Sequence, residues 1–338
     1  MDNKNNPKTL VIRSDADLYM GTGHVMRCIA LGQLWQDYGG TVIFVTCCHN
    51  KKIIKRLQDE KFQVVELDNS ADFFSVLNLR GESLLPKCWV VLDGYHFDLE
   101  YQKRVRVIGY KLLLIDDYNH FPEYECDILL NQNLNHSDFT YCVNSDCEKL
   151  FGLGYALLRR EFREWIPRRS VGKSCNILVI MGGADEFNVT LKVLELLTEG
   201  NLPSCSIRVV LGPSNPHRNV LRKFTNKTAL NLTLLDNVYN MPALLEWADF
   251  AISAAGSICF EFIYMHLSAG LIITAENQRR EAELLGNTKQ FSVLGDVDSF
   301  DKKVLLQYVF ARIKCVEFEE FCELTVGNKL SDLLQKMN

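Results

Sequence analysis

The chain has 338 residues, 47% of them hydrophobic, and a formal net charge of -5. That length excludes one very small domain and accommodates two of ordinary size, each with its own core. The charge balance carries no Lys/Arg block long enough to track a phosphate backbone, so no nucleic acid is expected as a partner. Apolar runs such as "TVIFVTCC" fall short of the roughly 20 residues of a membrane-spanning helix, and the polar start "MDNKNNPK" lacks a signal peptide's apolar stretch. No membrane insertion and a cytoplasmic location are therefore expected.

In chain order, short runs rich in Val, Ile and Leu alternate with stretches of helical period, the pattern of βα units around a parallel sheet. "TLVIRS", "TVIFVTCC", "FQVVEL", "CWVVLDG" and "KLLLIDD" are the strand candidates of the first half. A helix is predicted over 24–38, where apolar residues recur at three- and four-residue spacing before Gly39 and Gly40 stop the run. From 155 to 174 the alternation breaks into a charged stretch with Pro167 and Gly172, and the basic run "RREFREWIPRR" within it reads as a solvated linker helix. Strand candidates then resume with "NILVIMGG", "SIRVVLG", "LTLLDNV", "DFAISAAG", "AGLIIT" and "FSVLG", and the last forty or so residues read as helical. The fold class is α/β. An N-terminal Rossmann-like domain is expected over 8–155, a linker over 156–174, a second Rossmann-like domain over 175–315 and a helical tail over 316–338. Two such domains facing a cleft would bring their strand ends, where open sheets bind ligands, to one place.

Strand-to-helix loops carry the candidate chemistry. In "LVIRSDADLYMGTGH", Gly21 and Gly23 permit close backbone approach to a ligand, and His24 falls at a helix start. There the helix dipole disfavours an imidazolium and suits a general base. A plain glycine turn with a histidine cap fits the same residues, because GxGH lacks the full GxGxxG spacing. In "ILVIMGGADEFNVT", Gly182 and Gly183 end a strand, with Asn188 and Thr190 opening the next helix. "FAISAAGSICFE" repeats the design with Gly256 and Ser257, and free amides at such turns bind phosphate. Glu261, about one helical turn beyond Gly256, suits a ribose diol, although an isolated helix Glu is ordinarily solvated. Asn277 and Gln278 in "TAENQ" stand at another strand end, as sugar or phosphate readers or as a simple helix cap. Asp93, Tyr95, Asp116 and Asp117 also occupy strand ends; the aspartates read as turn formers rather than magnesium ligands, since no glycine-rich lysine loop accompanies them.

The twelve cysteines include no CxxC pair, and the seven histidines lack metal-site spacing. Free thiols, mostly buried, are expected, and neither metal nor cofactor.

Taken in order, "RSDADLYMGTGHVMRCIALG", "VVLDGYHFD", "LLLIDDYNH", "CDILLNQN", "YALLRREF", "ILVIMGGADEFNVT", "VVLGPSNPH", "NMPALLEWADFAISAAGS" and "AENQ" resemble the PseG/SpsG family of UDP-2,4-diacetamido-2,4,6-trideoxy-β-L-altropyranose hydrolases. The resemblance spans residues 9 to 280. It implies a glycosyltransferase-B-like fold related to MurG, and metal-independent, inverting attack of water on the anomeric carbon of a UDP-sugar in pseudaminic acid biosynthesis. It also implies His24 as base or positioner of that water, with Tyr95 and Asn277 catalytic. The UDP-sugar side falls to Gly21, Gly23, Gly182, Gly183, Ala184, Asp185, Gly256, Ser257, Glu261 and Gln278. Nothing in the sequence demands more than a monomer. The chain departs from the family pattern at Ile258, Cys259 and Phe260, at His266, Leu267 and Ser268, and at Ala184. A MurG-like glycosyltransferase and a nucleotide-sugar binding protein without catalysis are the alternatives.

Overall fold

A computed structural model describes residues 9–16, 22–69, 72–84, 88–167, 175–236, 238–314 and 324–337. Gly21, residues 168–174 of the expected linker and 316–323 of the expected tail lie outside them. Two compact units result: residues within 9–16, 24–160 and 327–337 make the first, and residues within 22–23 and 161–326 the second.

The first unit holds strands β1 (Thr9–Ser14), β2 (Thr41–Thr46), β3 (Gln63–Glu66), β4 (Trp89–Asp93), β5 (Lys111–Ile115), β6 (Ile128–Asn131) and β7 (Glu148–Phe151). They form one parallel sheet in the order β3-β2-β1-β4-β5-β6-β7. Helices α1 (Gly23–Asp37), α2 (Lys51–Asp59), α3 (Phe73–Leu84) and α4 (Leu99–Ile108) connect the strands, and α5 (Arg160–Arg163) lies where the chain passes from the first unit to the second. Successive strand residues alternate between faces. Leu10, Ile12, Val42, Phe44 and Val91 pack with α1 and α2, whereas Val11, Ile43, Val45, Val90 and Leu92 pack with Phe73, Phe74 and Leu77 of α3 and Val105 of α4. Such two-sided burial makes these strands read as continuous apolar runs.

The second unit repeats the order. Strands β8 (Cys175–Ile180), β9 (Cys205–Leu211), β10 (Asn231–Asp236), β11 (Phe250–Ala254), β12 (Ser268–Ile273) and β13 (Phe291–Asp296) lie parallel as β10-β9-β8-β11-β12-β13. Its helices are α6 (Val189–Glu199), α7 (Arg218–Thr225), α8 (Met241–Trp247), α9 (Ile258–Tyr264), α10 (Arg279–Gly286) and α11 (Lys302–Lys314). Val189, Val193, Leu194 and Leu197 of α6 and Leu305, Tyr308 and Val309 of α11 cover one face of this sheet. The last helix, α12 (Leu330–Met337), belongs to the first unit. There its Leu330, Leu333, Leu334 and Met337 join the α1 core, and Trp89 Nε1 donates to the Met337 carbonyl at 2.7 Å. Burying each such side chain is worth about 1.5–3 kcal/mol, so α12 is an integral layer of that unit.

Two expectations are corrected. Cys175 and Cys205, partners in the β8–β9 register, form a disulfide rather than free thiols, and Cys142 is exposed. The basic run is not a solvated helix: Arg159 and Phe162 are buried, and Arg160 donates to Asp37 Oδ1 at 2.7 Å and to the Gln33 carbonyl at 3.2 Å.

Candidate active site

In the first sheet the connections from β1 and β4 leave in opposite directions, so the crevice at their carboxyl ends is a topological switch point, where α/β sheets bind ligands. The loop after β1 delivers His24 in the first turn of α1. This helix is buried along most of its length, and Gly32 lets it close on β3's entry: a Cβ there would stand 2.6 Å from Phe62 Cζ. The histidine is therefore anchored on a rigid element.

Asp93, the fully buried last residue of β4, places Oδ1 2.6 Å from His24 Nδ1. Arg27, one turn after His24 on the same helix face, donates through Nε to Asp93 Oδ2 at 2.7 Å and through one terminal nitrogen to Asp93 Oδ1 at 2.6 Å. The same guanidinium reaches Asp117, just beyond β5, at 2.6 and 3.0 Å. Tyr95 donates its hydroxyl to Asp117 Oδ2 at 2.8 Å and meets the His24 ring edge-on at 4.8 Å. Asn133 Nδ2 donates to Asp117 Oδ1 at 3.0 Å.

The electrostatics fix the proton. Burial pushes the Asp93 carboxyl up, but Arg27 and His24 outweigh it and hold the group below the usual carboxylate range. Burial likewise raises Asp117, and Arg27 chiefly reverses it. Burial pulls the Arg27 guanidinium down, but Asp117 and Asp93 outweigh it and hold the group well above its ordinary value, so it stays charged. An ionised carboxylate can only accept, so the 2.6 Å contact with Asp93 Oδ1 places a proton on His24 Nδ1, while the Arg27 terminal nitrogen that lies 3.0 Å from Nδ1 gives its proton to the same Asp93 oxygen. Nε2 then carries the free lone pair, the tautomer a general base needs.

In the second unit Gly182 has φ 74, in the region that favours glycine, and the turn it opens is closed by Gly212: a Cβ at 212 would stand 2.2 Å from the carbonyl oxygens of Gly182 and Gly183. Ala184 and Asp185 are buried. Asp185 caps α6, accepting from the Val189 and Thr190 amides at 2.7 and 3.2 Å. Amides that the sequence offers to phosphate are thus engaged by the chain's own carboxylate. The turn after β11 differs. Gly256 and exposed Ser257 precede α9 with no side-chain cap, and Glu261 lies one turn on. An added Cβ at Gly256 would have its nearest neighbour, Gln278 Nε2, at 4.0 Å, which sets the "AENQ" turn after β12 beside it. Gln278 Oε1 accepts from the Thr274 amide at 3.0 Å and hydroxyl at 3.1 Å, and Asn277 is exposed. His266, where the family pattern has glycine, adopts φ 51.

Within the first unit the structure joins His24 with Tyr95 through Asp93, Arg27 and Asp117; within the second it groups Gly256 and Ser257 with Gln278, and Gly182 and Gly183 with Asp185. Gly23 opens α1. The reading of Asp93 and Asp117 as turn formers is corrected, because both sit in ion pairs with Arg27. Asp116 does form a turn, accepting from the Tyr118 and Asn119 amides at 2.9 and 2.6 Å. Arg27 was missed altogether; its i+3 spacing from His24 was the available signal. Among the described residues no group of three or more His, Cys, Asp or Glu side chains is arranged to hold a metal ion, and no helix is long and apolar enough to cross a membrane.

Two parallel α/β units of this strand order define the glycosyltransferase-B class of fold. Over its whole length the chain is similar to MurG of Acinetobacter baumannii, with a TM-score of 0.62 at 17% identity, covering 98% of this chain and 100% of that one. A Staphylococcus aureus MnaA–UDP structure gives 0.62 at 12% identity, covering 97% of each chain. No family model matches the chain. In sequence it is similar to the UDP-2,4-diacetamido-2,4,6-trideoxy-β-L-altropyranose hydrolase of Campylobacter jejuni, 27% identical over 82% of this chain and 95% of the relative. It is 22% identical to the spore coat polysaccharide biosynthesis protein SpsG of Bacillus subtilis, over 80% of this chain and 79% of that one. An uncharacterized protein of Methanocaldococcus jannaschii is 25% identical over 80% of this chain, which spans 56% of that relative's length.

Proposed function

We propose that the protein is a nucleotide-sugar hydrolase that cleaves a UDP-linked 2,4-diacetamido-2,4,6-trideoxyhexose to UDP and the free sugar, as a step of pseudaminic or related nonulosonic acid biosynthesis. The observation that carries the reading is the His24 imidazole, held at Nδ1 by a buried, Arg27-paired Asp93, which leaves the ring's lone pair on Nε2. His24 Nε2 removes a proton from water as its oxygen forms a bond to the anomeric carbon, and the bond from that carbon to the UDP oxygen breaks on the opposite face. The configuration inverts, and the electron pair leaves with the diphosphate. Asp93 stabilises the imidazolium so formed, and Arg27 keeps Asp93 charged. Tyr95, locked by Asp117, borders the imidazole and supports the sugar, with Asn277 as the further catalytic group.

The nucleotide is assigned to the second unit. The diphosphate is placed against the amides of Gly256 and Ser257, whose turn has no capping side chain, with Gln278 beside it and Glu261 on the ribose. Gly182, Gly183, Ala184 and Asp185 act as the rigid wall of that site, Asp185 being occupied with α6. Gly23 lets the sugar approach the backbone before His24. Transfer to an acceptor sugar is the second reading, favoured by the fold likeness to MurG. Incubation with the UDP-diacetamido sugar in heavy-oxygen water, without acceptor, separates the two. Hydrolysis predicts stoichiometric UDP and label in the released sugar; a transferase releases no UDP until an acceptor is supplied.

A further inference from the structure

A second Arg–Asp–His chain lies at the same switch point of the first unit. Arg13, the fully buried penultimate residue of β1, is paired with Asp15 just past the strand end. Asp15 also accepts from the Cys47 amide at 2.6 Å and from Thr46 Oγ1 at 3.2 Å, both at the end of β2. Its Oδ2 lies 3.2 Å from His96 Nε2. Burial pushes the Asp15 carboxyl up, but His96 and Arg13 outweigh it and hold it well below the usual carboxylate range. An ionised carboxylate accepts only. The 3.2 Å contact favours a proton on His96 Nε2, facing Asp15, and in that neutral ring Nδ1 is left as an acceptor. His24 is held in the opposite tautomer.

Both histidines stand at the carboxyl ends of the two central strands, His24 against Asp93 at the end of β4 and His96 against Asp15 just past β1. Ser14 and Asp93 are register partners, so Asp15 and Gly94 leave the two central strands side by side. The His96 side chain is 36% exposed, against 7% for His24. A Cβ at position 94 would stand 3.1 Å from His96 Cε1 and 3.3 Å from Nδ1, so glycine keeps room beside the acceptor nitrogen. A histidine that merely packs needs neither the Asp15 brace nor a side chain more than a third exposed.

We propose that His96 is a specificity-determining residue whose Nδ1 accepts a hydrogen bond from a polar hydrogen of the bound sugar, an acetamido N–H or a ring hydroxyl; this rests on the nucleotide-sugar reading above. It brings a second side chain of the β4–α4 loop to the sugar, next to Tyr95.

The test measures dissociation constants for UDP, for the UDP-diacetamido sugar and for UDP-glucose by calorimetry, with every protein, wild type at position 96 included, carrying His24→Ala so that no ligand is turned over during the titration. Wild type is compared with His96→Gln, which keeps the donor to Asp15 but lacks the Nδ1 acceptor, and with His96→Asn, whose carbonyl oxygen stands near the Nδ1 position. In His96→Gln the preference for UDP-sugar over UDP falls about three- to tenfold, and in His96→Asn it falls less. A loss confined to the diacetamido sugar assigns the donor to an acetamido N–H; a loss with UDP-glucose as well assigns it to a hydroxyl. The proposal is overturned if His96→Gln keeps the wild-type preference, or if wild type binds the sugar nucleotides no more tightly than UDP. Failure of the hydrolase reading registers separately, as a protein that prefers the sugar nucleotide yet, with His24 intact, releases no UDP.

Discussion

The first strands of the two units, β1 and β8, occupy equivalent places: each is flanked by the second and fourth strands of its own sheet, and each ends at a switch point. What the following loops contribute differs. Beside β1 the space is filled by charged side chains that lock one another, Arg27 with Asp93 and Asp117, and Arg13 with Asp15. Beside β8 and β11 it is bounded by glycine turns and by a carboxylate already spent on capping α6. One frame thus yields a proton-handling crevice in the first unit and a backbone-lined one in the second. The fold sets where chemistry can occur, and the loop side chains decide which chemistry it is.

If that division is right, the largest effect belongs to the proton-handling side. His24→Ala is expected to lower UDP release from the diacetamido sugar nucleotide by about 10²- to 10⁴-fold, with UDP affinity retained; full turnover in the variant would remove the base assignment. Next comes Arg27→Met, which leaves two carboxylates without their buried partner and is expected to cost about 3–5 kcal/mol in chemical denaturation.

The same ion pairs give the first unit an acid limit. Asp15, Asp93 and Asp117 titrate lower in the folded chain than their usual value. Their stabilisation is therefore complete above about pH 4 and is lost as pH falls through the folded-state values. Thermal unfolding should hold steady down to about pH 5 and drop below about pH 4, with a shallower drop in Arg27→Met. A flat acid profile in wild type would contradict the network.

The smallest effects sharpen the backbone-lined side. Gly212→Ala forces a Cβ against two carbonyl oxygens and is expected to cost about 1–3 kcal/mol. Gly256→Ala meets open space and should change stability by less than about 0.5 kcal/mol, while weakening UDP binding by crowding the diphosphate. Weakened UDP binding at Gly212 but not at Gly256 would move the phosphate to the β8 turn.

The core strands were legible because a parallel sheet buried on both faces imposes unbroken apolar runs, so β1, β2, β4, β5, β8, β11 and β12 stand out, while the edge strands β3 and β10 show only short apolar centres between exposed ends. The four-residue β6 follows β5 with no helix between them to mark a new unit, and β7, an edge strand, exposes Glu148 and Lys149. His24 was legible from its glycine loop. Its partners were not: an arginine in a helix and aspartates at strand ends have solvated and turn-forming readings of equal simplicity, and only the β1–β4 register brings Asp93 under α1. The Cys175–Cys205 bridge was hidden for the same reason, since thirty residues separate two cysteines that register makes neighbours.

The account rests on a buried carboxylate holding His24 with Nε2 free. Nitrogen NMR of histidine-labelled protein, assigned with His24→Gln and recorded for the neutral ring, tests this directly. The prediction is a proton on Nδ1 and an unprotonated Nε2 in wild type, with that preference lost in Asp93→Asn. A proton on Nε2 in wild type would contradict it, leaving His24 without the lone pair that the proposed attack of water requires.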